Sequence, residues 1–106
     1  MKSIFVIEGS CGTWEDTFYW NVFAYLTKEE AERDLHIIQS DYSAFMTWYN
    51  DMMSKHPNGY IDRKGLDEEE KLIETKATEM LTLDVLHSYP DDIQLYSIRE
   101  IKLKEN

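Results

Sequence analysis

Cys11 is the chain's single cysteine, and it sits in Gly9-Ser10-Cys11-Gly12-Thr13, a glycine-bearing stretch where a nucleophile would stand exposed. A nucleophilic thiol needs a base, a cation or a helix N-terminus to lower its pKa. No histidine lies near it in sequence, and the closest, His36, falls within a helical pattern. The stretch shares only its glycines with a phosphate loop, because the lysine and the following helix are missing. His36, His56 and His87 stand far apart, and none has a cysteine or a second histidine at zinc-ligand spacing. Glu15-Asp16 and Asp91-Asp92 are adjacent acids in polar stretches, where both groups stay solvated and ionised. General acid–base work needs one carboxyl raised in an apolar setting. No catalytic, cofactor-binding or metal-ligating residue is therefore assigned, no cofactor is expected, and the chain reads as a non-enzyme.

Two other residue sets could serve a partner. The carboxylates Glu29, Asp34, Asp41, Asp51, Glu68, Glu69, Glu74 and Glu79 fall on two predicted helices and could build one acidic face. Aromatic residues are 13% of the chain, among them Trp14, Trp20, Tyr25, Tyr60 and Tyr89, more than one small core usually takes. Trp, Tyr and Met are favoured at protein interfaces. Met46, Trp48, Tyr49, Met52 and Met53 are grouped on one helix end and form the best single apolar patch for self-association.

Composition narrows the function class. At 106 residues and 12.6 kDa the chain is sized for one domain, 1–106, with one core. Twenty-one acidic side chains against eleven basic ones give a net charge of −10. Such a charge repels nucleic acid phosphates and anionic lipid alike. No apolar run approaches the roughly 20 residues of a membrane span, and the N-terminal apolar stretch is too short for a secretory signal. A lone cysteine suits a reducing compartment, so a cytoplasmic protein is expected.

The elements that must position these residues follow from periodicity. Ser3 to Glu8 carries Ile4-Phe5-Val6-Ile7, apolar on both faces, which suits an interior strand covered on both sides. Gly9 to Thr17 reads as a loop, and Phe18 to Leu26 alternates as a second strand. Thr27-Lys28-Glu29-Glu30 is a capping box, after which Ala31, Leu35, Ile38, Tyr42, Phe45, Tyr49 and Met52 recur at alternating spacings of 4 and 3. That helix runs about 40 Å, at 1.5 Å per residue, and should end near Lys55, because His56-Pro57-Asn58-Gly59 follows. Asp67-Glu68-Glu69-Glu70 reads as the start of a second helix, carried inward by Leu72, Ile73, Ala77, Met80 and Leu81. Residues 81–87 fit both a strand and a helix and are assigned to the helix. Ile93 to Leu103 is the last strand, with a bulge expected near Ser97 to Glu100. The expected fold is α+β, a small three-stranded mixed sheet (β-β-α-α-β) packed against a helical hairpin. The first strand lies at its centre, antiparallel to the second and parallel to the last.

Glu8-Gly9-Ser10, the acidic Glu15-Asp16, the aromatic strand to Phe23 and Thr27-Lys28-Glu29-Glu30-Ala31 resemble small uncharacterised phage and prophage proteins. The closing Tyr96-Ser97-Ile98-Arg99-Glu100-Ile101-Lys102-Leu103 is similar to their last strand. Positions 1–31 and 92–103 carry the likeness, whereas the helical middle is longer. The resemblance implies a mobile-element protein acting in a bacterial cytoplasm and supplies no catalytic residue.

The expected function is therefore a small acidic protein-interaction module, a phage-encoded inhibitor of a host defence or nucleic-acid-binding enzyme. Its carboxylate face would occupy a basic groove meant for phosphates, with no direct nucleic acid and no membrane as partner. The alternative is a small-molecule binder or minor enzyme whose pocket, between sheet and helices, is lined by Trp20, Tyr25 and Tyr49 with Cys11 or His36 at its mouth. Because a 40 Å helix overhangs a sheet of about 20–30 Å, the patch Met46–Met53 should be partly bare and join a second copy as a homodimer.

Overall fold

Ile4-Phe5-Val6-Ile7 lies on the central strand of a three-stranded sheet. The computed structural model describes residues 2–12, 16–55, 63–88 and 92–104. Its elements are β1 (Ser3–Cys11), β2 (Phe18–Tyr25), α1 (Lys28–Ser54), α2 (Arg63–Met80) and β3 (Leu95–Lys102). The sheet order is β2-β1-β3, so the fold is α+β with the first strand at the centre. Strand β1 continues through Gly9 and Ser10 to Cys11, three residues expected in the loop, and Gly12 turns the chain with φ 98°. Thr13, Trp14 and Glu15, expected in that loop, lie outside the described residues.

The sheet is antiparallel throughout, not mixed: β3 pairs antiparallel with β1 from Ser3↔Lys102 to Ser10↔Leu95. The reason is where α2 stops. It does not return along the whole of α1. It ends at Met80, and Thr82 is held at the middle of α1, where its amide and hydroxyl donate to the Asp41 carboxylate at 3.3 and 2.5 Å. The chain thus rejoins the sheet at the end where β1 finishes. From there β3 can only run back alongside β1.

The bulge falls on a different strand from the expected one. Strand β3 keeps unbroken register with β1, whereas β2 shifts opposite Ile7 and Glu8, with Phe23 facing Ile7 and Asn21 facing Glu8. Val22 is the extra residue. It changes the phase of β2, so that Trp20 and Tyr25 both turn inward.

Helix α1 forms where its pattern places it. The Thr27 hydroxyl accepts from the Glu30 amide at 3.3 Å and donates to the Glu30 carboxylate at 3.1 Å. Ala31, Ile38, Tyr42, Phe45 and Tyr49 are buried along one stripe. Its first half covers the sheet and its second half overhangs it, giving a molecule 61 Å long. Helix α2 contacts α1 but no strand, so the helical hairpin does not lie on the sheet as a unit. It begins at Arg63, which places Asp67 to Glu70 in its second turn, not at its cap. Helix α1 ends at Ser54 with Lys55 as its C-cap, where the sequence places its end; His56 to Gly59, the residues expected to break it, lie outside the described residues.

The overhang is covered by α2. Ile73, Ala77 and Leu81 pack with Tyr42, Phe45 and Tyr49 in one apolar cluster, against which Met46, Trp48, Met52 and Met53 are half-buried. The self-association patch is therefore largely occupied within the chain. Trp48 stacks on Phe45 at 5.9 Å with the Lys76 ammonium 5.8 Å from its ring centre. Leu72, expected inside, is exposed. Residues 81–88 are neither helix nor strand, because Leu81 and Leu86 both turn toward the core from a path of successive bends. Val6 and Ile7, which point to opposite faces of β1, are both buried, at 5% and 0% exposure, and Ile4 and Glu8 are half-buried, although α1 is the one described helix that contacts β1.

Candidate functional site

Among the described residues, the densest polar network lies where β2, residues 84–87 and the chain from Gln94 into β3 meet, and it begins with a missing side chain. Trp20, Gly9 and Tyr96 occupy one row across the three strands. With no Cβ on Gly9, the Trp20 indole lies over the central strand, where any side chain would overlap its ring. The ring reaches Tyr96, edge to face at 6.2 Å, and stacks on His87 at 3.9 Å and 25°.

Asp84 is the acceptor at the centre. Trp20 Nε1 and the Tyr96 hydroxyl both donate to its Oδ2, at 3.0 and 2.7 Å, and His87 Nε2 lies 2.9 Å from its Oδ1. Gln94, which is 2% exposed, extends the network: its amide side chain donates to the Tyr96 hydroxyl at 2.6 Å and to the Val85 carbonyl at 3.3 Å. Its Oε1 accepts from the His87 backbone at 2.6 Å, and its own backbone N–H donates to the Tyr42 hydroxyl at 3.0 Å. Burial, followed by the hydrogen bond to Asp84, pushes the Tyr96 phenol far above its ordinary range. Tyr96 is thus held neutral as a donor. Hydrogen bonds to a charged acceptor contribute about 1.5–3 kcal/mol each, so Asp84 ties residues 84–87 to β2 and β3.

Beside this network runs a groove of about 450 Å³ between α2 and residues 81–88. Ile73, Ala77, Leu81, Val85 and Leu86 give it an apolar lining. Glu70, Glu74, Thr78, Asp84, His87 and Ser88 supply its polar groups. His87 is the one lining side chain able to carry positive charge. The groove can take an elongated apolar group that carries a cation.

Cys11, at the end of β1, is closed off from solvent by burial. It is 2% exposed, and burial raises its thiol pKa, with a hydrogen bond from Ser88 opposing and the Asp92 charge adding to the rise. Among the described residues no group of three or more His, Cys, Asp or Glu side chains could hold a metal ion. No described helix is long and apolar enough to cross a membrane.

The eight carboxylates do not form one face. Asp34 accepts from the Tyr25 hydroxyl at 2.7 Å, Asp41 holds Thr82, and Glu69 is buried. Asp51 pairs with Lys55 at 3.5 Å and Glu79 with Lys76 at 3.9 Å. Glu29, Glu68 and Glu74 are exposed on different helix faces, and only Glu74 of the eight lines the groove. The helix periodicity explains this: Asp34 and Asp41 border the buried stripe of α1, while Glu29 and Asp51 stand opposite it.

The pocket imagined between sheet and helices is not assembled. Trp20 sits against His87, Tyr25 against Asp34, and Tyr49 in the overhang, while His36 is exposed. From the sequence, His87 is weighed only as a zinc ligand and set aside, Gly9 is read as part of a turn, and Asp84 and Gln94 are given no role. One local signal was present, the Asp84-Val85-Leu86-His87 spacing that lets a carboxylate reach an imidazole. No known protein family, curated protein or solved structure matches the chain.

Proposed function

We propose that the protein is an acidic interaction module that holds a segment of a partner protein in the groove between α2 and residues 81–88. The segment is amphipathic, with aliphatic side chains for the floor and a lysine or arginine for Glu70 and Glu74. The observation that carries this reading is the pairing of an apolar lining with two carboxylates in a chain of charge −10. Charge of that sign speeds the approach of a basic segment, and the apolar floor retains it. The likeness of residues 1–31 and 92–103 to phage proteins supports a bacterial cytoplasmic target. The inhibitor reading then becomes occupation of one basic segment of a host defence or nucleic-acid-binding enzyme. Phosphate mimicry by a broad acidic face has less support, because Asp34, Asp41 and Glu69 are turned to internal use.

The test uses synthetic amphipathic peptides of equal apolar content, one carrying lysines and one carrying glutamines, titrated by calorimetry and amide NMR. The lysine peptide is expected to bind more tightly, to shift amides of residues 70–88, and to lose at least tenfold in affinity when Glu70 and Glu74 are both replaced by lysine. Equal affinity for both peptides, or shifts confined to the sheet, would overturn the reading.

A further inference from the structure

The two edges of the sheet differ in charge. On β3 the outer strand carries Arg99, Glu100 and Lys102, the kind of residues that keep an exposed edge from pairing. Across Phe18 to Leu26, β2 has no acidic or basic residue at all, in a chain where 30% of residues are charged. Among the described residues, β2 pairs with β1 and with nothing on its other side. Phe18, Tyr19, Phe23 and Leu26 are 44, 66, 47 and 81% exposed along it.

We propose that β2 is a self-pairing edge: two copies of this chain join β2 to β2 antiparallel about a two-fold axis, forming a continuous six-stranded sheet. Two molecules of charge −10 repel one another over most of their surfaces. Strand β2 itself carries no charged side chain that would oppose its copy, and the carboxylate at its Tyr25 end, Asp34, is engaged by the Tyr25 hydroxyl at 2.7 Å. A two-fold axis brings each strand against its own reverse, so the open N–H and C=O groups of one edge find those of the other. The exposed aromatics then become cross-strand neighbours, a pairing that stabilises antiparallel strands. This contact lies away from the groove and does not depend on it.

Sedimentation equilibrium across micromolar concentrations tests the proposal. The unmutated protein is expected at twice 12.6 kDa, and the variants Phe23→Lys and Tyr19→Lys at 12.6 kDa with unchanged circular dichroism. Leu95→Lys on the β3 edge should leave the dimer intact. Hydrogen exchange of the unmutated protein supplies a readout free of folding effects: amides of β2 should gain protection as concentration rises, while those of β3 stay constant. A monomer at all concentrations would overturn the proposal, as would a dimer that survives both β2 charges or one that Leu95→Lys dissolves.

Discussion

Gly9 and Trp20 form one structural unit. The indole occupies the space in which a side chain at position 9 would stand, and from there its Nε1 reaches Asp84, 64 residues away in sequence. The stack on His87 and the edge contact with Tyr96 both depend on that position. A glycine in mid-strand normally weakens the strand; this one is repaid in the placement of the largest side chain on the sheet.

Gly9→Ala therefore tests the network at its base. The methyl group overlaps the ring, and the backbone under it is β1 itself, so the indole must move. Displacing it forces strain of about 1–3 kcal/mol and gives up the bond to Asp84, about 1.5–3 kcal/mol more. The total expected loss is about 2.5–6 kcal/mol. Urea denaturation measures the loss, and a shift in tryptophan emission reports the displacement. A loss under about 1 kcal/mol would show that the ring does not depend on the missing Cβ.

Alkaline pH provides the second test. Burial, and then the hydrogen bond to Asp84, raises the Tyr96 pKa, and burial also raises that of Tyr42, both from an ordinary value of 10.0. In the unfolded chain these phenols ionise near that value, while in the folded chain they keep their protons. Their contribution to stability is thus fully present below pH 10.0 and is lost as pH rises above it. Urea midpoints should be flat from about pH 7 to 9 and fall steeply beyond 10. Tyr96→Phe should be less stable at neutral pH, because Asp84 and Gln94 each lose a partner, yet decline less steeply in alkali. A variant with the same alkaline slope as the unmutated protein would remove Tyr96 from this account.

Local patterns in the chain predicted α1, both of its ends in outline, and the order of elements, because capping chemistry and a 3.6-residue stripe are local properties. Ala31, Ile38, Tyr42, Phe45 and Tyr49 show it: all five lie on the predicted seam and all five are buried. The direction of β3 was not legible, since it depends on where α2 stops along α1, and one hydrogen-bonded contact between Asp41 and Thr82 decides that. Gly9 read as a turn because nothing near it in sequence reveals a tryptophan in the adjacent strand. The groove and the Asp84 network are equally non-local. Asp84 joins Trp20 and Tyr96 from separate strands, and neither partner stands at a spacing that any short motif records.

The Asp41–Thr82 contact gives the last test. Asp41 lies at the middle of α1, and its Oδ2 accepts both the amide and the hydroxyl of Thr82, just past the end of α2. The contact is solvent-exposed, so the free energy at stake is modest, about 1–2 kcal/mol for a charge-assisted pair of bonds. Its structural consequence is larger, because it fixes the point from which residues 81–88, which line the groove, leave the helical hairpin. Asp41→Ala should lower stability by about that amount. It should also speed hydrogen exchange at 81–88, with β1 and β2 amides little changed. Thr82→Val keeps the amide donor and should cost less. In a double-mutant cycle the two changes should couple by about 1 kcal/mol, since they share one acceptor. Additive effects, or faster exchange spread evenly over the chain, would mean that packing at Leu81 and Leu86 alone sets the path of the chain from α2 to β3.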